Sequence, residues 1–471
     1  MPLPWTDAIL PMLSAELGID ARRLLPGLWY DVGALTTDLR YCYMNIVTFL
    51  YGSNFAGRIG DWCRAHGVEY MGHVIEENNA HARLGAGTGH YFRALWGQDY
   101  AGIDIVLNGI IPGIKGGSHA QNAFQFEADD DFFYYCLAQM AASLARLDEK
   151  KRGRAMCEIF GAYGWQEGLR EMKWLADFML SRGINVYVPH AFTPKDFPDP
   201  DCPPHFYAMG NNPQFRYFVR LMDYMNRICS LITDGETPVH IAVLYHAEAE
   251  WASDNMMKTQ DVIKQLNQRQ VEADIVPCDV VSRMEAQLNH AVYGMRHYSL
   301  LMIPYAQYLP ANVLDKISQL SKDGVEVVFV GGLPEYACLG DIANIDLSSC
   351  KTITESELGL FVENMGIRTC IPAHFEPDLK VYPYKKSGCE VLLLFNESGN
   401  ETIDTWLALN NYDIDKHLLI YDAFDNVAHK AQVRNRGDNI EVRVLLEPGE
   451  ARVISNVLPF DDTKLEACKH W

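Results

Sequence analysis

The feature that most constrains this chain is the alternation of short apolar runs with longer helical stretches between about residues 24 and 190. LLPGLWYDV, a helix through Cys63, VEYMGHVI, a helix around Tyr91 to Trp96, GIDIVLNGI, a helix over 130–150, RAMCEIFGAYG, a helix over 166–181 and INVYVPHAF follow in order. Such alternation predicts parallel strands covered by helices, because a return to the same strand direction needs a long crossover. An eightfold (β/α) barrel takes roughly 250 residues, whereas about five strand signals occupy the first 190 here. A (β/α)8-type barrel lacking its N-terminal strands is therefore expected. The helical pattern PWTDAILPMLSAELGIDARRLL, where such a barrel would begin with a strand, points to the C-terminal portion of a longer chain or to a chain that a partner completes.

The pattern restarts near Val239. VHIAVLYHAEAEWA, a helix over 256–268, EADIVPCDVV, YSLLMIPYA, a helix over 311–322 and VEVVFVGGLP predict an open, flavodoxin-like doubly wound sheet. After about residue 370, CEVLLLFNES, TIDTWLAL, HLLIYDAF, IEVRVLLEPG and EARVISNV alternate without helical periods, as in a β-sandwich. The expected order is a barrel domain over 1–236, a doubly wound α/β domain over 237–368 and a β-sandwich over 369–471.

Charge and cysteine usage narrow the partners. A formal charge of -21 without any Lys/Arg run argues against nucleic acid. No run of 18 apolar residues and no signal-like N-terminus argue against a membrane. Twelve cysteines scattered singly, with no CxxC pair, read as reduced thiols rather than disulfides or a metal site, which favours the cytoplasm. No phosphate loop of the GxxxxGK[ST] kind occurs.

In a barrel, chemistry gathers at the carboxyl ends of the strands. Those ends read Tyr30-Asp31, His73 with Glu76 and Glu77, Asn108, Glu158 with Tyr163 and Trp165, and His190. Acids, aromatics and neutral polar groups suit acetal hydrolysis, which needs one acid to protonate the leaving oxygen and one carboxylate to attack the anomeric carbon or activate water. Glu76 and Glu158, on separate strands, can face one another, whereas Glu76 and Glu77 in extended chain point apart. Glu77 and Asp31 compete with Glu76 for the acid. Trp165 and Tyr163 can offer flat faces to a pyranose ring, and Asp31, His73, Asn108 and His190 can hydrogen-bond hydroxyls. His73 and His190 have an alternative role as caps on backbone carbonyls, and Trp165 as core. The Pro-rich stretch FPDPDCPPHFYAMGNNP suits a loop lying over this site. Glu248 and Glu250 read as structural or interface groups, and Cys338 falls too late after VVFV to be a nucleophile at a strand-to-helix turn.

LLPGLWYDVG, DWCRAHGVEYMGHVIEEN, GIDIVLNG, CEIFGAYGW and VPHAF resemble the catalytic barrel of a group of bacterial sugar hydrolases over about residues 1–235. Val239 to Pro334 resembles the amidotransferase-like trimerisation domain of family 42 β-galactosidases, which a small β domain also follows. The resemblance implies a homo-oligomer, a trimer, acting on carbohydrate without a cofactor, with Glu158 in the nucleophile position of retaining barrel glycosidases. Where family 42 has Asn-Glu at the end of strand four, this chain reads Tyr30-Asp31, which leaves Asp31 or Glu76 as the acid. The barrel equally resembles family 106 α-L-rhamnosidases, which implies inversion and calcium. A barrel fragment that binds sugar without catalysis is the expectation from a different class.

Overall fold

The computed structural model describes residues 3–74, 82, 87–113, 129–410, 418–437, 439–457 and 459–466. Along the chain come a parallel sheet with helices, a second parallel sheet with helices, and a pair of antiparallel sheets.

The first unit opens with helices α1 (Ile9–Leu17) and α2 (Thr36–Tyr51), continued by a π-helical turn into α3 (Arg58–Ala65). After α4 (Tyr91–Leu95), strands β1 (Ala101–Val106), β2 (Ala155–Gly161) and β3 (Val186–Pro189) pair in parallel in that order. Helices α5 (Ala138–Leu147), α6 (Leu169–Leu180) and α7 (Phe215–Leu231) follow β1, β2 and β3 respectively. β1 and β2 are buried almost throughout, as strands covered on both faces must be. Among the described residues this sheet has three strands, fewer than the five apolar runs suggested.

Two of the expected strands take other forms. LLPGLWYDV forms a short 3-10 turn, Leu25–Leu28, just after another at Ala21–Arg23, because Pro26 has no N–H for a ladder and fixes a helical φ near the start of its turn. Asp31 therefore lies in the turn before α2 and not at a strand end. The stretch 68–74 runs beside β1 without a backbone ladder. Asp99 holds it instead: its N–H donates to the Tyr70 carbonyl and its carboxylate accepts the Tyr70 N–H, both at 2.8 Å. The contact is so close that a Cβ on Gly102 would lie 1.8 Å from the Gly72 carbonyl oxygen. Only glycine allows that approach, and it delivers His73 to the sheet.

In the second unit, β4 (Ile241–Tyr245) and β5 (Ala273–Pro277) join strands Leu300–Pro304, Glu326–Val330 and Lys351–Ile353 in one parallel sheet. Counting strands along the chain, the order across the sheet is 5-4-3-1-2, the flavodoxin-like doubly wound arrangement. Its edge strand β5 is covered by α5: Ser143 Oγ accepts the Ile275 N–H at 2.8 Å and the Gln139 amide donates to the Ala273 carbonyl at 2.6 Å. These bonds occupy backbone groups that an open edge would leave unpaired. Arg146 on the same helix meets the fully buried Asp274 at 2.6 Å, joining the first two units.

The last unit has a four-stranded and a six-stranded sheet packed around Leu379, Val381, Leu392, Leu394, Ile403 and Leu407. Buried ion pairs fix it to the others: Arg182, beyond α6, meets Glu397 at 2.5 Å, and Lys380 pairs with Glu272 beside β5. The described cysteines are free thiols, and no described helix is long and apolar enough to cross a membrane.

Gly102→Ala is expected to destabilise the protein by about 1 to 3 kcal/mol through backbone displacement at the 68–74 contact. Urea unfolding checks this, and an unchanged midpoint contradicts the close approach as a constraint.

Candidate functional site

The β1–β2 register sets Asp104 directly opposite Glu158, and the β2–β3 register sets Glu158 opposite Val188. Partners in register on adjacent parallel strands point to the same face, so two carboxylates stand side by side. His73 lies between them. Its Nε2 is 3.4 Å from Glu158 Oε2, and its Nδ1 is 3.6 Å from Asp104 Oδ2 and 3.0 Å from the Val74 carbonyl oxygen.

The charges follow from that geometry. Burial alone pulls the His73 imidazole down, but the Glu158 contact, the Asp104 charge and the Val74 carbonyl outweigh it and push it up to about 9. The His73 contact holds the Glu158 carboxyl below its ordinary value against the opposing effect of burial, with the charges of His73 and His190 adding to it. Glu158 is thus an ionised, half-buried carboxylate with its side chain 30% exposed, whereas the Asp104 side chain is 8% exposed.

Other expected groups divide. His190 follows β3, continues its ladder by donating its N–H to the Ile159 carbonyl at 2.9 Å, and packs its ring against Gly161. Its charge reaches Glu158. Asn108 sits in the left-handed turn after β1, which the Leu107 N–H ties to the Gly161 carbonyl at 3.1 Å. Tyr163 offers no face to a ligand: it is 1% exposed and its hydroxyl donates to the Ile110 carbonyl at 2.9 Å. The resulting clamp holds the loop after β2 to the turn after β1.

Trp165 is exposed and packs edge-on against Phe197 and His205 of the Pro-rich loop. That loop is pinned across the ends of β2 and β3 by Gly164 N–H to the Pro203 carbonyl at 2.8 Å and Phe206 N–H to the Ala191 carbonyl at 3.1 Å. Burial and Asp201, and least of all the Glu158 charge, raise its Cys202 thiol. Asp31 is exposed, and its carboxylate is occupied by the Gly33 N–H at 2.8 Å and the Thr36 hydroxyl at 3.0 Å, which lower its pKa. Glu76 and Glu77 lie outside the described residues.

Two acids escaped the sequence reading. Asp104 was legible only as a lone charge within the apolar GIDIVLNGI, and its partner strand could not be known. Glu167 carried no signal. It is 3% exposed, neither carboxylate oxygen has a hydrogen-bond partner among the described residues, and burial, with the Glu171 charge adding, pushes it up to about 9.

Among the described residues no group of three or more His, Cys, Asp or Glu side chains is arranged to hold a metal ion. A cleft of about 410 Å³ lined by Asp61, Arg64, Arg93, Lys150, Asp279 and Arg283 lies apart from Glu158. Arg64 and Arg93 there already pair with Asp61 and Asp279.

Two outcomes are expected. In His73→Ala the Glu158 carboxyl titrates at higher pH, because the lowering contact is gone and burial remains; carbon-13 NMR reads this, and an unmoved midpoint contradicts the pairing. For Glu167 the folded-state value lies above the unfolded one, so stability falls as pH rises from about 4.3 towards 9. Glu167→Gln is therefore expected to raise the thermal midpoint at about pH 8 and change it little near pH 4. Equal effects at both pH values count against a buried, protonated Glu167.

No protein-family model matches the sequence, and no curated protein sequence matches it. Solved structures do share its fold. A rhamnosidase from Novosphingobium sp. PP1Y is 14% identical with a TM-score of 0.70, covering 99% of this chain and 44% of its own. A catalytic mutant of a GH42 beta-galactosidase from G. stearothermophilus is 10% identical with a TM-score of 0.62, covering 95% and 75%. An exo-carrageenase GH42 from Bacteroides ovatus is 10% identical with a TM-score of 0.58, covering 95% and 62%. This chain thus spans under half the length of the rhamnosidase chain, and the fold it shares with these proteins is a glycoside hydrolase fold.

Proposed function

We propose that this chain carries a two-carboxylate glycoside hydrolase site that removes a terminal sugar from an oligosaccharide or glycoside. The observation that carries the reading is the ionised, partly exposed Glu158, held by the His73 imidazolium in the middle of a parallel sheet and covered by a loop bearing aromatic side chains. An ionised carboxylate is what an oxocarbenium-like centre requires, either as nucleophile or as the base that activates water. Trp165 supplies an exposed aromatic face beside the overlying loop, and Asn108 and His190 supply hydrogen-bonding groups at the neighbouring strand ends. The acid is assigned to Glu76, three residues beyond His73 in sequence. The three-stranded sheet is read as part of a (β/α)8 barrel.

Two stereochemical courses are supported by different likenesses. The likeness to the beta-galactosidase supports retention, with Glu158 as nucleophile. The likeness to the rhamnosidase has the higher TM-score and extends over 99% of this chain, which supports inversion with Glu158 as base. Carboxyl separations of about 5 Å and about 6.5 to 9.5 Å distinguish the two.

Glu158→Gln is expected to lower kcat on aryl glycosides by about a thousandfold or more, with KM nearly unchanged. Turnover close to wild type in that variant removes Glu158 from the chemistry. Proton NMR of the first-formed sugar anomer then assigns the course.

A further inference from the structure

We infer that Asp104 is a positioning residue of this site, a buried carboxylate that keeps His73 as an imidazolium and thereby keeps Glu158 ionised. The inference rests on the reading of Glu158 as the reactive carboxylate and adds what sets its charge.

Strand register is the first support. Asp104 and Glu158 are directly paired on neighbouring strands, and such strands lie about 4.8 Å apart. Two carboxylates this close in a half-buried place cannot both stay ionised unless a cation separates them.

The second support is what the imidazole faces. Among the described residues, Nδ1 looks onto the Val74 carbonyl oxygen and Asp104 Oδ2, and Nε2 onto Glu158 Oε2. A neutral imidazole carries one bare lone pair, and here either nitrogen would aim it at an oxygen. The doubly protonated ring alone leaves no lone pairs opposed.

Depth then divides the roles. The Asp104 side chain is 8% exposed against 30% for Glu158, so Glu158 can meet a substrate while Asp104 acts from behind. At 3.6 Å from Nδ1, beyond a good hydrogen bond, Asp104 acts chiefly through charge. The described groups acting on His73 are Asp104 on β1, Glu158 on β2 and the Val74 carbonyl. His190 after β3 acts on Glu158, and the Glu158 charge is the weakest of those raising the Cys202 thiol of the overlying loop. The raised His73 value agrees with this arrangement.

The test titrates the His73 ring by NMR in wild type, Asp104→Asn and Glu158→Gln, and needs no substrate. Wild-type His73 is expected to titrate near 9, and in Asp104→Asn about one pH unit or more lower. In Glu158→Gln it is expected to stay above the ordinary histidine value of about 6.5, because Asp104 remains. An unmoved midpoint in Asp104→Asn overturns the inference. So does a fall to the ordinary value in Glu158→Gln, a result that decides the matter even if Asp104→Asn does not fold. Where aryl glycosides are turned over, Asp104→Asn is expected to shift the alkaline limb of kcat/KM to lower pH, and an unshifted limb counts against it. If no glycoside is hydrolysed, the proposed function fails while the His73 titration still decides the role of Asp104.

Discussion

Two carboxylates placed side by side on a sheet are the constraint from which the rest of the site follows. Parallel pairing puts Asp104 and Glu158 in register on one face, and mutual repulsion would normally force one to take up a proton. The His73 imidazolium removes that conflict. It can do so only because the 68–74 stretch lies against β1 at a distance that a side chain on residue 102 would forbid. The missing Cβ of Gly102, the Asp99 bonds to Tyr70 and the charge on Glu158 are links in one chain of causes.

The same economy of contacts holds the three units together. Helix α5 carries a buried face that packs on β1 and β2, and it also covers the open edge of the second sheet through Gln139, Ser143 and Arg146. Charged pairs such as Arg182 with Glu397 and Lys380 with Glu272 are buried where the β-sandwich meets the α/β units. Breaking either pair would leave an uncompensated buried charge, so these contacts specify how the units meet more than they add to stability.

Glu167 contrasts with Glu158 within one loop and its preceding strand. Both are glutamates, yet one is held ionised by a cation and the other is driven neutral by burial. The difference comes from what surrounds each carboxylate, which no pattern of neighbouring residues in the chain reveals. Asp31 shows the converse: it looked like a strand-end acid, but the segment before it, with Pro26, forms a 3-10 turn, and its carboxylate is taken up by the Gly33 N–H and the Thr36 hydroxyl.

The sequence by itself determined the succession of α/β, α/β and all-β patterns along the chain and marked Glu158 as a candidate, because apolar periodicity and turn residues are local properties. It could also place a Pro-rich loop over the strand ends, since proline excludes both ladder and helix. Only the tertiary structure decided that Asp104 faces Glu158, that His73 bridges the two, that Tyr163 is a clamp and that Glu167 is buried. Register, depth and charge pairing arise between segments far apart in the chain, and they exist only once those segments have packed.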